Sequence, residues 1–215
     1  METRSLIQGS DEWIRARLGR VTASRVKDVM ANGRGGAPSA ARKNYMMELL
    51  CERLTGKQGG ADLSRNAAVQ RGNELEPFAR MAYEADKGLM VLEVGLINHP
   101  VISGFSASPD GVVGDEGLLE IKCPNTATHI ATMQSGRHDP QYEWQMLAQM
   151  ACTGRHWADF VSYDDRLPEE LQYVCFRYEF DYKRGREMEA EIKAFLEELA
   201  ELEKEMRDRM RSKAA

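Results

Sequence analysis

The sequence predicts one α/β domain over residues 1–215, and three observations lead there. Apolar spacings of three and four dominate residues 1–88, give way to strand-like alternation between 89 and 123, and are mixed beyond that. With 42% hydrophobic and 29% charged residues among 215, the chain can bury one sizeable core without demanding a second. No internal repeat breaks the order of helices first, strands next, then both.

Ser10 ahead of Asp11 and Glu12 has the form of a helix start, and Gly19 after Arg15 and Arg17 the form of a stop, which predicts a short first helix. Val21, Thr22, Ala23 and Ser24 offer a second cap, opening a helix of about two turns that ends near Asn32 and Gly33. Residues 33–38 form a Gly-rich loop ahead of a helix over 39–54, where Tyr45, Leu49, Leu50 and Leu54 share a face. A Gly-rich break over 55–61 precedes a helix over 65–87 with Ala68, Leu75, Ala79, Ala82 and Tyr83 inward; Pro77 lacks an interior N–H and is expected to kink it. Residues 89–98 and 104–107 read as strands, and Val112 with Val113 and residues 118–123 flank a turn at 114–117, making a hairpin. Helices over 127–134 and 141–152 and strands over 157–163 and 171–180 follow. From about 183 to 212 the groups Met188, Ile192, Phe195, Leu199, Leu202, Met206 and Met210 recur every three or four residues. That is one long amphipathic helix, whose stripe is expected to pack on its own domain.

Composition excludes several classes. No apolar run approaches the roughly 18 residues of a membrane span, and residues 1–5 lack a basic segment with an apolar stretch behind it, so a soluble, cytoplasmic chain without membrane contact is expected. Cys51, Cys123, Cys152 and Cys175 are scattered without CxxC or Cys/His pairing, which signals neither zinc, an iron-sulfur cluster nor a disulfide framework. They are expected to be reduced and mostly in the core, and the four histidines to be structural or surface groups. A net charge of −5 argues against nucleic-acid binding over the whole surface. Arg15, Arg17, Arg20, Arg25 and Lys27 nevertheless cluster, while many acids sit between 187 and 208, so a local basic face is available.

The chemistry is concentrated in Ser108-Pro109-Asp110-Gly111, followed ten residues after the aspartate by Glu120-Ile121-Lys122. Phosphodiester hydrolysis needs the phosphate neutralised and a hydroxide-like nucleophile at neutral pH, and metal ions supply both. Hard cations such as Mg²⁺ take oxygen ligands, commonly one or two carboxylates with waters and substrate phosphate; Asp110 and Glu120 offer those carboxylates. On a strand Glu120 and Lys122 point one way and Leu119, Ile121 and Cys123 the other. Lys122 would orient or deprotonate the attacking water, or stabilise charge in the transition state. A loop of two or four residues centred between Asp115 and Glu116 would set Asp110 opposite Ile121. An odd-length loop or a bulge sets it on the face of Glu120. Alternatively, Asp110 lies just before the strand, where Pro109 keeps the backbone extended.

These residues resemble the PD-(D/E)xK nuclease superfamily, and within it the phage lambda exonuclease type of viral recombinase, the YqaJ-like group. The landmarks are Trp13-Ile14-Arg15-Ala16-Arg17-Leu18-Gly19 with Val21-Thr22-Ala23-Ser24, then Gly72-Asn73-Glu74-Leu75-Glu76, the two motifs above with Cys123-Pro124, and Gln145 in the following helix. The resemblance covers most of the chain. It implies a restriction-endonuclease-like core, a mixed central sheet flanked by helices. It further implies a Mg²⁺-dependent 5′-to-3′ exonuclease with two ions per site, Mn²⁺ substituting, that degrades one strand of linear duplex DNA to mononucleotides and leaves a 3′ overhang for recombination. A homotrimer ring around the DNA, a single-strand annealing protein as partner, and a bacterial host cell as setting are implied with it.

By position the resemblance makes Asp110, Glu120 and the Ile121 carbonyl metal ligands, Lys122 the catalytic lysine, Glu76 the helix carboxylate at the second metal, and Gln145 the glutamine that places the water. Arg17, Ser24 and Ser108, with Thr22, resemble a 5′-phosphate pocket; an Arg fork and hydroxyls beside a helix N-terminus suit an anion. No carboxylate lies between Glu93 and Asp110, so a third acid ligand from the strand before the motif is not expected; His99 and Pro100 stand there. The alternatives are a RecB-like or restriction-type nuclease with the same core motif, a non-catalytic DNA-binding recombination scaffold, and an oligomerisation module built on the C-terminal helix.

Overall fold

A computed structural model describes residues 6–33, 37–59 and 66–214. The expectations at residues 1–5, at 34–36 of the first Gly-rich loop, at 60–61 of the second and at the Arg65 helix start lie outside the described residues. Helix α1 (Asp11–Arg17) begins as expected, with the Ser10 hydroxyl accepting from Trp13 N at 3.2 Å. The next segment differs. Val21–Thr22 is strand β1, and the turn that follows is 3-10 over Ala23–Arg25 before α2 (Val26–Val29), with no side-chain cap. The two residues read as a cap pair instead with a strand far along the chain. Helix α3 (Ala40–Thr55) is capped by Ser39, and α4 (Ala67–Lys87) by Asn66, whose Oδ1 accepts from Ala68 N and Val69 N; Pro77 lies inside α4 without ending it.

The expected strand over 89–98 is two short ones, β2 (Val91–Leu92) and β3 (Ile97–Asn98), in different sheets. Between them Gly95 lies so close to the Leu6 backbone that a Cβ there would overlap it, and Gln8 Nε2 donates to Val94 O at 2.9 Å. The N-terminal segment thus occupies the edge a longer strand would need. The remaining strands are β4 (Phe105–Ala107), β5 (Gly111–Val113), β6 (Gly117–Lys122), β7 (Trp157–Tyr163) and β8 (Tyr173–Glu179). Helices α5 (Thr126–Ser135) and α6 (Glu143–Thr153) connect β6 to β7, and α7 (Tyr182–Ala214) closes the chain.

The main sheet runs β2-β5-β6-β7-β8, with β6 and β7 parallel and the other pairs antiparallel; a smaller sheet runs β1-β4-β3. Both faces of the main sheet are covered, which is why β6 and β7 are almost wholly buried. Leu75, Ala79 and Tyr83 of α4 pack on Leu119, Ile121 and Val161. On the other face Leu118 and Phe160 join Met146, Leu147 and Met150 of α6, the helices α2 and α3, and Met188, Ile192, Phe195 and Leu199 of α7. The α7 stripe therefore packs on its own domain from Met188 to Met206, as expected, whereas Met210 at its far end is exposed. Of the four free thiols only Cys152 is buried and Cys51 is exposed, a correction to the expectation that most are core. Cys51 points outward from α3, between buried Leu50 and buried Glu52. His99 and His129 are structural: His99 Nδ1 accepts from Val101 N and Ile102 N, and the His129 ring lies 2.7 Å from Ser162 Oγ.

Candidate active site

The β5–β6 register decides the question the sequence left open. Gly111 pairs with Leu119, Val112 with Leu118 and Val113 with Gly117, so the loop is the odd-length one, Gly114, Asp115 and Glu116. Extended by one position, the register sets Asp110, just before β5, opposite Glu120. Asp110 then does what a ladder partner would do: its Oδ2 accepts from Ile121 N at 2.7 Å. Because N–H and C=O of one strand residue face the same edge, the Ile121 carbonyl is directed to the Asp110 side.

Glu120 is fully buried, and both its oxygens are engaged. Oε1 accepts from Gln145 Nε2 at 2.5 Å and is ion-paired to Lys122 Nζ; Oε2 accepts from Gln149 Nε2 at 2.6 Å. The expected alternation holds, since Lys122 lies beside Glu120 and Ile121 packs under α4. The face carrying the charges is nonetheless core as well, because Leu118 on it is fully buried. Lys122 Nζ also lies 4.9 Å from the centre of the Tyr142 ring. Burial opposes its charge, but Glu120 and Asp110 outweigh that and hold the amine above its ordinary range as an ammonium.

Asp110 and Glu76 resist ionisation. Burial raises Asp110 well above the usual range, the charges of Glu120 and Glu76 raise it further, and Lys122 and the Ile121 N–H oppose them. Glu76 is raised by burial first, with Arg80 working against it. Its Oε1 accepts from Arg80 Nη2 at 2.8 Å, and Arg80 also pairs with Glu93. Among the described residues no three His, Cys, Asp or Glu side chains form a closed metal cage. Two facing carboxylates, a strand carbonyl and an excess of buried negative charge nevertheless suit a hard divalent cation, which takes one or two carboxylates and keeps its waters. The donor set fits Mg²⁺ or Mn²⁺ and lacks the thiolate or imidazole that zinc prefers.

A cavity of about 1250 Å³ is lined by Asp110 and Glu76 together with Arg17, Thr22 and Ser24. Three of the four residues expected at a phosphate pocket therefore share one space with two of the expected metal ligands. The fourth, Ser108, accepts from the indole N–H of Trp13 at 3.0 Å, and the Arg17 guanidinium stacks 3.9 Å over that same ring. Trp13, a landmark in the sequence but not a predicted site residue, ties the arginine to the serine. Among the described residues no carboxylate pairs with Arg17, whose charge is disfavoured first by burial and only partly restored by Tyr45 and Glu52. Arg25 of the same basic cluster is committed to Asp28 and Glu48. Gln149 was also missed: its one signal in the sequence is its spacing of four from Gln145, which sets both on one face of α6.

The family described as the YqaJ-like viral recombinase domain matches residues 12–156. An alkaline exonuclease from Laribacter hongkongensis, LHK-Exo, has a crystal structure 55% identical over 96% of this chain and 100% of its own, with a TM-score of 0.87. The crystal structure of LHK-Exo in complex with dAMP, at the same identity and coverage of both chains, gives a TM-score of 0.86. A phage related exonuclease from Haemophilus somnus 129PT shares 17% identity over 87% of this chain and 96% of that one, with a TM-score of 0.69, and so shares the fold. No curated protein matches the chain. The mixed sheet flanked by helices is the restriction-endonuclease-like core that the motifs implied.

Proposed function

This chain belongs to the YqaJ-like viral recombinase domain family and is a DNA exonuclease, and from that premise we propose that it digests one strand of linear duplex DNA from the 5′ end in a Mg²⁺-dependent reaction. The observation that carries the polarity is the shared cavity: an arginine with no ion-paired carboxylate among the described residues stands in the same space as Asp110 and Glu76. A terminal phosphate held by Arg17, Thr22 and Ser24, with Ser108 fixed through Trp13, sets which phosphodiester reaches the carboxylates. Cutting at a fixed offset from an end releases mononucleotides and leaves a 3′ overhang.

Asp110, Glu120, the Ile121 carbonyl and Glu76 would hold two Mg²⁺ ions, with Mn²⁺ able to substitute; bound there, the ions supply Lewis-acid neutralisation and an acidified water. The chain's own groups do the rest. Gln145 donates to Glu120 Oε1 at 2.5 Å and would hold the attacking water once an ion takes that oxygen. Lys122 carries its proton at Nζ beside Glu120, so it steadies charge developing on the phosphate. The fork of Arg17 binds the terminal phosphate in a buried setting, where a charge-assisted pair is strong.

We further propose a homotrimer ring threaded by DNA, a single-strand annealing protein as partner in phage-type recombination, and action in the cytoplasm of a bacterial host. Among the described residues no helix is long and apolar enough to cross a membrane.

The test is digestion of a linear duplex labelled on each strand, with 5′-phosphate or 5′-hydroxyl ends, in Mg²⁺ or EDTA. The expected result is Mg²⁺-dependent mononucleotide release from the phosphorylated 5′ strand, reduced about 10²–10³-fold in Lys122→Ala. Arg17→Ala is expected to lose the preference for phosphate over hydroxyl ends. Internal cuts would instead mean a restriction-type nuclease, and binding without cleavage a scaffold.

A further inference from the structure

Gln149 is fully buried in the middle of α6, among Met146, Leu147, Ala148, Met150 and Cys152, all of them buried too. An apolar residue of similar shape would fill that position without an unmatched polar atom of its own. Instead the amide gives its Nε2 to Glu120 Oε2 at 2.6 Å, while its Oε1 finds no hydrogen-bond partner among the described residues. A buried acceptor left unpaired is unfavourable, so the amide's place in the core is explained by what its donor does.

We infer that Gln149 is a positioning residue for Glu120, pinning Oε2 from inside the protein so that Oε1 is the oxygen offered to a divalent cation. This rests on the metal-dependent reading of the site. The division between the two oxygens is physical. Oε1 is held by Lys122 and Gln145, both partly exposed, whereas Oε2 is held by a group with no exposure. Oε1 can exchange its partners for an ion; Oε2 cannot without opening the core. With the carboxylate fixed by one atom, its plane is set before an ion arrives, as outer partners of metal ligands do. Gln145 and Gln149 lie one helical turn apart, so α6 grips both oxygens through a single face.

The test uses Mn²⁺ titration of the DNA-free protein, followed by electron paramagnetic resonance, and melting in EDTA, for wild type, Gln149→Met, Gln149→Asn and Glu120→Gln. Both Gln149 variants are expected to melt within about 4 °C of wild type, the shift of ~1 kcal/mol in a chain of this size. They are expected to bind Mn²⁺ about 10-fold more weakly, as loss of an outer partner does, with cleavage largely recovered at saturating metal. Gln149→Asn keeps an amide in the core and carries the test should Gln149→Met unfold. Unchanged Mn²⁺ affinity in either folded variant overturns the inference, and unfolding of both overturns it by making the residue purely structural. Glu120→Gln separates the two readings. If it binds Mn²⁺ as wild type does, the metal reading of the site fails; if it loses Mn²⁺ while the Gln149 variants keep it, only the role of Gln149 fails.

Discussion

The carboxyl of Asp110 is held well above its ordinary range by burial and then by Glu120 and Glu76, although Lys122 and the Ile121 N–H draw it down. The folded chain thus keeps this proton more readily than the unfolded one. Metal-free stability from the group is fully present below the unfolded carboxyl value and is lost as pH rises through the folded one. Above that window the metal-free site is a cost to the fold, which a bound cation would offset. Asp110→Asn removes the charge and keeps an acceptor for Ile121 N, so in EDTA at pH 8 it is expected to melt higher than wild type, with the gap narrowing as pH falls and closing only at about pH 4, the unfolded aspartate value. A gain of ~1 kcal/mol would appear as about 2–4 °C, and cleavage would be lost. Parallel melting curves for the two proteins at both pH values would sink this account. Arg17 is the mirror case, a cation whose charge burial disfavours and which, among the described residues, has no ion-paired carboxylate; the phosphate of a DNA end would supply that charge under the proposed function.

The β5–β6 hairpin holds Asp110 opposite Glu120, and its geometry is enforced from three sides. Gly114 turns the loop at a φ of +52°, Arg155 Nη1 donates to the carbonyls of Gly114 and Gly117 at 2.7 and 2.8 Å, and Gly117 lies against the Trp157 ring. That ring cannot swing away freely, because the Arg177 guanidinium sits 3.6 Å over it and is itself tied to Asp159 at 2.8 Å. A Cβ at position 117 would overlap the indole. Gly117→Ala is therefore expected to cost about 1–3 kcal/mol, read by urea unfolding, and to lower cleavage by disturbing the register; an unchanged unfolding midpoint would show that the indole gives way.

Much of this element was legible, since glycines at 114 and 117 between apolar pairs announce a hairpin and narrow Asp110 to two registers. The register that forms is braced from another part of the chain, by Arg155 on the carbonyls of Gly114 and Gly117. The split of β2 from β3 was not legible either, because residues 89–98 read as one strand and only the approach of Leu6 and Gln8 divides them. Gln149 was hidden for the opposite reason: a glutamine in a helix reads as solvent-facing, and its buried partner lies on another element.

At the scale of the molecule, α7 and the cavity are linked through two rings. Phe195 is fully buried, stacked on Tyr45 with centroids 5.7 Å apart and lying under Arg42, which grips Glu198 with both terminal nitrogens at 2.8 and 2.7 Å. The Tyr45 hydroxyl in turn accepts from Thr22 N at 3.2 Å and donates to Arg20 O at 3.3 Å, at the edge of the proposed phosphate pocket. Loss of the Phe195 ring should therefore loosen the domain and the pocket together. Phe195→Ala is expected to cost about 3–5 kcal/mol, about 6–20 °C in melting temperature at this chain length, and to raise KM for 5′-phosphorylated ends more than it lowers kcat. The far end of α7 offers the contrast. Met210 is exposed, and the pairs Arg209–Glu205 and Arg211–Asp208 are on the surface, where each contributes roughly 0–1 kcal/mol. Removing residues 208–215 should then move the melting temperature by less than about 4 °C. If Phe195→Ala were tolerated while that short truncation changed the oligomeric state by light scattering, α7 would be an assembly helix first and a core helix second. Packing of four fully buried side chains from Met188 to Leu199 against the body of the domain argues for the reverse.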